Sequence, residues 1–241
     1  QLCEKKGLIE HEFIKKIHDE FSKPGTCIVG YNSIAFDDEY TRHTLFRNFL
    51  DPYSWHWQNG NARWDILNVA RFCYAHKEEG SLNWVKNEKN RPIFKLDRLA
   101  PANHIEHTNA HDAMADVRAT IGIAKIIKET QPKFFKYALS LNDKKEVGQL
   151  VKPLHPMLLT SSSFGYKSSF TRLVTSICNH PEYSDRSIVF NLNQDPEIFL
   201  ELESEELKTL TFSRKSDLPK GIDKLDLSEL VFNKSPMFVC S

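Results

Sequence analysis

From Ala113 to Ile127 the apolar residues Met114, Val117, Ile121, Ile123, Ala124, Ile126 and Ile127 recur at the three-and-four spacing of a helix with one buried face. Asn109 or Asp112 is placed to cap its start, and Asp112 and Asp116 lie one turn apart. His111 falls at or just before the first turn, so an imidazole and two carboxylates share one helix mouth. Such a mouth is either a site or a charged helix start of the kind the helix dipole favours anyway.

Upstream, Phe13, Ile14, Ile17 and Phe21 share one face of a helix that ends at Lys23-Pro24-Gly25. The run Thr26-Cys27-Ile28-Val29-Gly30 is too short for a helix, and its lack of alternation predicts a strand buried on both faces. Its carboxyl end points into Tyr31 to Glu39, where Asp37, Asp38 and Glu39 cluster, and ligands of open α/β sheets collect beyond strand carboxyl ends. Those acids equally suit the start of a helix through Leu45, Phe46 and Phe49. The dense aromatics Phe49, Tyr53, Trp55, Trp57 and Trp64 suit either base stacking or a core. Asp65 to Ala75 reads as a helix, residues 76–92 as a polar loop, and Phe94, Leu96 and Leu99 as a helical turn.

After Gln131 the pattern changes to a basic amphipathic segment and then β-rich runs at Phe170 to Ile177 and Ser187 to Leu192, which reads as a second, mostly β domain. Lys plus Arg equals Asp plus Glu at 32 each, so net charge selects no partner. The balance is local: seven basic against two acidic residues from Gln131 to Thr175, six acids and no base from Asp195 to Glu206. The basic portion suits a phosphate backbone, or simply a solvated surface. Five cysteines without paired-ligand spacing fit a reducing cytoplasm better than disulfides or zinc. No apolar run approaches the ~18 residues of a membrane span. The chain begins with Gln and stops in an apolar run, so both ends are expected to be cut from something longer.

A strand-end acid (Asp37), a helix-borne acid (Asp116) and a histidine before it (His111) suit metal-assisted phosphodiester hydrolysis. Carboxylates hold hard cations such as Mg²⁺ or Mn²⁺, and a histidine accepts the proton of an attacking water near neutral pH.

The motifs Gly30-x-Asn32-x-x-x-Phe36-Asp37, Asp65-x-Leu67-x-x-x-Arg71 and His111-x-Ala113-x-x-Asp116 resemble the DEDD exonuclease superfamily in its histidine-containing branch. Arg63-Trp64-Asp65 and His104 through Asp116 resemble, more closely, the bacterial exonuclease I family, and Lys152-Pro153-Leu154 with His180-Pro181-Glu182 resembles its SH3-like domain. The resemblance implies an α/β, ribonuclease H-like exonuclease domain over residues 1–131, lacking its first strands, followed by a mostly β SH3-like domain over 132–241 that is truncated at its C-terminus. It implies 3′-to-5′ hydrolysis of single-stranded DNA to nucleoside monophosphates in DNA repair and recombination. Two Mg²⁺ ions, replaceable by Mn²⁺, are expected on Asp37 and Asp116, with His111 as general base. Asn32, Phe36, Trp64 and Lys152 are the expected substrate contacts. Single-stranded DNA and the single-stranded DNA-binding protein are the expected partners of a cytoplasmic, monomeric enzyme.

The family's first motif, an Asp-x-Glu on the first strand, has no counterpart upstream of Asp37. The 241 residues alone are therefore expected to bind metal weakly and hydrolyse little, with Thr26 to Gly30 left as a marginally stable edge. Two competing readings are a non-catalytic single-strand-binding module, in which hydrolysis would not depend on His111, and an RNA-directed or proofreading exonuclease with the same chemistry, which contacts to the 2′-hydroxyl would reveal.

Overall fold

The computed structural model describes residues 7–77, 79–107, 112–219, 221 and 223–240. Helix α1 (Glu10–Phe21) leads into strand β1 (Cys27–Gly30) and helix α2 (Asp37–Arg47). Strand β2 (Ala62–Asp65) pairs parallel with β1, Gly30 opposite Asp65, and runs directly into helix α3 (Ile66–His76). The polar loop holds a short antiparallel pair, β3 (Val85–Lys86) and β4 (Pro92–Ile93), before helix α4 (Leu96–Ala102). Helix α5 (Ala113–Thr130) carries the periodic apolar face.

Strand β1 is not buried on both faces. Its residues alternate between exposed and half-buried, and Val29 is 48% exposed. The reason is local: among the described residues β2 is the single strand beside it. That neighbour lies in the aromatic-rich stretch, and Arg63, Trp64 and Asp65 are all buried.

Pro132 opens helix α6 (Pro132–Ser140) at a position where its missing N–H loses no bond, and Asp143 caps α7 (Lys144–Leu150) by accepting from the Lys145 N–H at 2.8 Å. Residues 132–150 are thus largely helical, and strands begin at Pro156. Strands β5 (Pro156–Thr160), β6 (Thr171–Asn179), β7 (Arg186–Asn191), β8 (Leu227–Val231) and β9 (Met237–Cys240) form one antiparallel sheet in the order β8-β7-β6-β5-β9. Helices α8 (Glu197–Leu200) and α9 (Ser204–Phe212) cover its Phe190 side. Among the described residues no helix is long and apolar enough to cross a membrane.

One core joins the two halves, running from Ile66 and Phe72 on α3 through Ala138 and Leu141 to Met157, Val189 and Phe238 in the sheet. Polar contacts reinforce it. The Trp64 indole donates to the Ala138 carbonyl at 3.0 Å, Tyr137 donates to the Phe238 carbonyl at 2.9 Å, and Arg63 Nη2 donates to the Asn233 carbonyl at 2.9 Å. Arg63 Nη1 also meets Asp38 Oδ2 at 2.6 Å, both side chains being at most 4% exposed. Truncating either partner would strand the other charge, a change that ordinarily costs about 3–5 kcal/mol.

His56 lies beside this pair, 3.5 Å from Arg42 Nη2, with Nδ1 buried and unpartnered among the described residues. Burial first, then the Arg63 and Arg42 charges, holds its imidazole down to about 3. The folded protein therefore refuses a proton that the unfolded chain accepts near 6.5, so this contribution is present above that pH and is lost as pH falls toward 3. Urea unfolding of wild type and His56→Phe at pH 7 and pH 5 tests this. The drop in stability between the two is expected to be smaller in the variant by about 2 kcal/mol, and an equal drop in both contradicts it.

Candidate functional site

The parallel strands β1 and β2 end together, and a buried carboxylate organises the backbone leaving both. Asp65, 2% exposed, accepts backbone N–H groups from Asn32 (2.8 Å), Ile34 (3.3 Å) and Leu67 (3.0 Å). It therefore caps α3 and fixes the loop leaving β1. Burial raises its carboxyl above the ordinary value, opposed by those three N–H bonds and by Arg71. Asn32 adopts φ 63°, a left-handed conformation that Asn tolerates better than most residues. The Ser33 carbonyl then accepts from Phe36 N–H at 3.2 Å and Asp38 N–H at 3.0 Å, which starts α2.

This turn is tight. A Cβ on Gly30 would lie 2.5 Å from Ser33 Cβ and 2.6 Å from Ser33 Oγ. Neither Asp37, Asp38 nor Glu39 caps α2 through its side chain; the N-cap is Phe36, and the three acids occupy the first turn. Asp38 turns inward to Arg63, while Asp37 is exposed.

On α5, Asp112 is the cap, its Oδ1 accepting from Met114 N–H (3.0 Å) and Ala115 N–H (3.1 Å). That leaves Asp116 available, its side chain 44% exposed. Asp37 and Asp116 line one cavity of about 860 Å³ together with Val29, Gly30 and Ser33. Asp116 also lines a second cavity of about 820 Å³ with Asn32, Arg71, Lys95 and His107, closed on the far side by Ser162 and Phe170 from the second half of the chain. Asp116 thus stands where a groove between the halves meets the cavity holding Asp37.

His111 lies outside the described residues. Asn32 lines the cleft, whereas Phe36 lines neither cavity and is a surface residue, 54% exposed with its ring 4.7 Å from that of Tyr40. Trp64 is 3% exposed and packs edge-on against Phe135, so it has no face free for a base. Its expected substrate role is corrected to a core role. Trp55 is equally buried, whereas Trp57 is 45% exposed beneath Lys144 Nζ, 5.1 Å from its ring. Lys152 is exposed on the segment entering β5. Two residues that stood in the matched motifs without an assigned role also lie at the site. Arg71, bonded to Asn68 at 3.0 Å, lines the groove between the halves, and His107 Nε2 lies 2.7 Å from Asp116 Oδ1.

Asp37 and Asp116 are hard oxygen donors on one cavity wall, the chemistry that suits a divalent cation such as Mg²⁺ or Mn²⁺. Among the described residues no group of three or more His, Cys, Asp or Glu is arranged to hold a metal ion.

Comparison with known proteins matches residues 2–124 to the exonuclease family model and residues 142–241 to the exonuclease I SH3-like domain. The chain is 42% identical over 240 residues to exodeoxyribonuclease I of Haemophilus influenzae, covering 98% of this chain and 50% of that protein. Among solved structures, the zinc ion-bound form of an E. coli ExoI–ssDNA complex superposes with a TM-score of 0.87 at 41% identity, covering 95% of this chain and 49% of that one. An ExoI/SSB-Ct complex superposes with a TM-score of 0.88 at 40% identity, covering 98% and 50%. The chain spans about half the length of the curated relatives it matches.

Gly30→Ala is expected to force Ser33 and the start of α2 apart, costing about 1–3 kcal/mol as overpacked sites do. The readout is a lower urea midpoint at unchanged m-value; an unchanged midpoint contradicts the close approach.

Proposed function

The chain belongs to the exonuclease family, with an exonuclease I SH3-like domain in its second half, and on that basis we propose that the whole protein is a metal-dependent 3′-to-5′ exonuclease. It hydrolyses phosphodiester bonds of single-stranded DNA to nucleoside monophosphates, in the cytoplasm, as a monomer acting in DNA repair and recombination. The observation that carries this reading is that Asp37, from the loop after β1, and Asp116, from α5, converge on one cavity that meets the groove between the halves.

Residues 1–131 hold the chemistry and 132–241 form the SH3-like wall of the groove. Asp37 and Asp116 are two of the carboxylates that hold Mg²⁺, two ions in all, with Mn²⁺ as a substitute. The curated relatives are about twice as long as this chain, and that length supports further carboxylate ligands elsewhere in the whole protein. When bound, such cations stabilise charge on the attacking and leaving oxygens. His111 accepts the proton of the attacking water, a task for which an imidazole is matched near neutral pH. Asn32 contacts the strand in the cleft, the exposed Phe36 ring is offered to it just beyond Asp37, and Arg71 offers a guanidinium to its phosphates. The single-stranded DNA-binding protein is a partner, a reading supported by the ExoI/SSB-Ct complex that this chain resembles.

In the full-length protein, release of mononucleotides from 3′-labelled single-stranded DNA in Mg²⁺ tests this reading. His111→Ala is expected to lower kcat by roughly 10²–10⁴-fold, the span of a lost general base. Asp116→Asn is expected to abolish release, and an unlabelled RNA strand to compete poorly. Hydrolysis unchanged by either substitution would support a non-catalytic role for these residues, and equal competition by RNA would overturn the DNA assignment.

A further inference from the structure

The side chain of His107 is 2% exposed, yet its Nε2 meets a carboxylate, Asp116 Oδ1, at 2.7 Å. Two bare lone pairs do not face one another at that distance, so a proton lies between them, and the imidazole is ordinarily the stronger base of the two groups. Nε2 therefore donates and the Asp116 oxygen accepts. The other ring nitrogen, Nδ1, is buried with no partner among the described residues, so the Asp116 bond is what orients this ring.

The backbone that delivers His107 is itself held against α5. Gly122 has no side chain, and Ile105 fills the space: a Cβ on Gly122 would lie 2.9 Å from Ile105 Cδ1 and 3.0 Å from both Cγ atoms. The Ile105 N–H also bonds the Ala100 carbonyl at 3.0 Å, pinning the segment to α4. A close-packed anchor two residues before His107 thus aims its ring at Asp116. Asp116 is already fixed along the helix, its N–H bonded to the Asp112 carbonyl at 3.0 Å and its own carbonyl accepting from Thr120 Oγ1 at 2.8 Å. The His107 bond engages Oδ1 and narrows the side-chain rotamers open to Asp116, while Oδ2 accepts no hydrogen bond among the described residues.

We propose that His107 is a positioning residue: its Nε2–H fixes Asp116 Oδ1 so that Oδ2 is presented to a divalent cation. This rests on the reading of Asp116 as a metal ligand. Donors of this kind behind a ligating side chain commonly change metal affinity by roughly 10–100-fold.

The test is nuclear magnetic resonance on the isotope-labelled 241-residue chain, with Mn²⁺ as the probe because its paramagnetic broadening reports even weak binding. In wild type, His107 is expected as the Nε2–H tautomer, and Mn²⁺ is expected to broaden the amides around Asp116. His107→Phe keeps an aromatic ring without the donor and should raise the Mn²⁺ concentration for half-broadening about tenfold or more. His107→Gln restores a donor near the Nε2 position and should hold it within about threefold of wild type. Asp116→Asn should abolish the effect. Broadening that survives Asp116→Asn contradicts the metal-ligand reading itself. Broadening lost in Asp116→Asn but unaltered in His107→Phe contradicts the role of His107 alone, as does a loss in His107→Gln as large as in His107→Phe. Should the Phe variant disturb the fold, the wild-type tautomer still decides, since an Nδ1–H ring facing Asp116 through a bare Nε2 overturns the proposal.

Discussion

The site depends on one buried carboxylate. Asp65 closes the end of β2, caps α3 and binds the loop that leaves β1, all through three backbone N–H groups. Hydrogen bonds to a charged acceptor are worth about 1.5–3 kcal/mol each, and here they offset part of the cost of burial, which still leaves the carboxyl raised. No apolar residue could replace them, because the loop from Asn32 to Ile34 would then have unpaired N–H groups at a buried strand end. That hold sets the direction of the next helix. The loop turns tightly over Gly30, α2 begins at Asp37, and its first turn sends Asp38 inward and leaves Asp37 on the cavity wall.

The second half of the chain completes the groove. Residues alternate across a strand, so Arg63 and Asp65 share one face of β2 while Trp64 takes the other. Arg63 ties Asp38 to the Asn233 carbonyl, and Trp64 reaches the Ala138 carbonyl across a continuous core. Both faces of β2 therefore hold the halves together. Ser162 and Phe170 lie opposite Asn32 and Asp116 because of that clamp. A strand of nucleic acid entering the groove would meet a wall fixed by buried bonds rather than by surface contacts.

Much of this was legible in the sequence, for identifiable reasons. The helix at Ala113–Thr130 announces itself by apolar periodicity, and Asp112 by its place before the first apolar turn; the structure shows both. Asp37 follows from a short apolar run that had to end somewhere. Strand β2 was hidden because two of its buried residues, Arg63 and Asp65, are charged and mimic a surface pattern. Trp64 shows the converse difficulty: an aromatic beside charges suits a base-stacking surface or a core, and its burial was set by Phe135, far along the chain. The segment 132–150 carried basic amphipathic spacing that suits helices on a core, although the domain was expected to be mostly β. His107 stood in the matched segment from His104 to Asp116, but its pairing was not legible, because Asp116 lies nine residues away across a turn that only tertiary packing creates.

Asp65 holds the exit loop of β1 and the start of α3 as one unit, and so places Asp37 against α5. Amide hydrogen exchange of wild type reads this directly at Asn32, Ile34 and Leu67, whose N–H groups all end on the Asp65 carboxylate. All three are expected to be protected and to open with one common free energy. Asn32 and Ile34 exchanging at the rate of a free loop while Leu67 stays protected would contradict it.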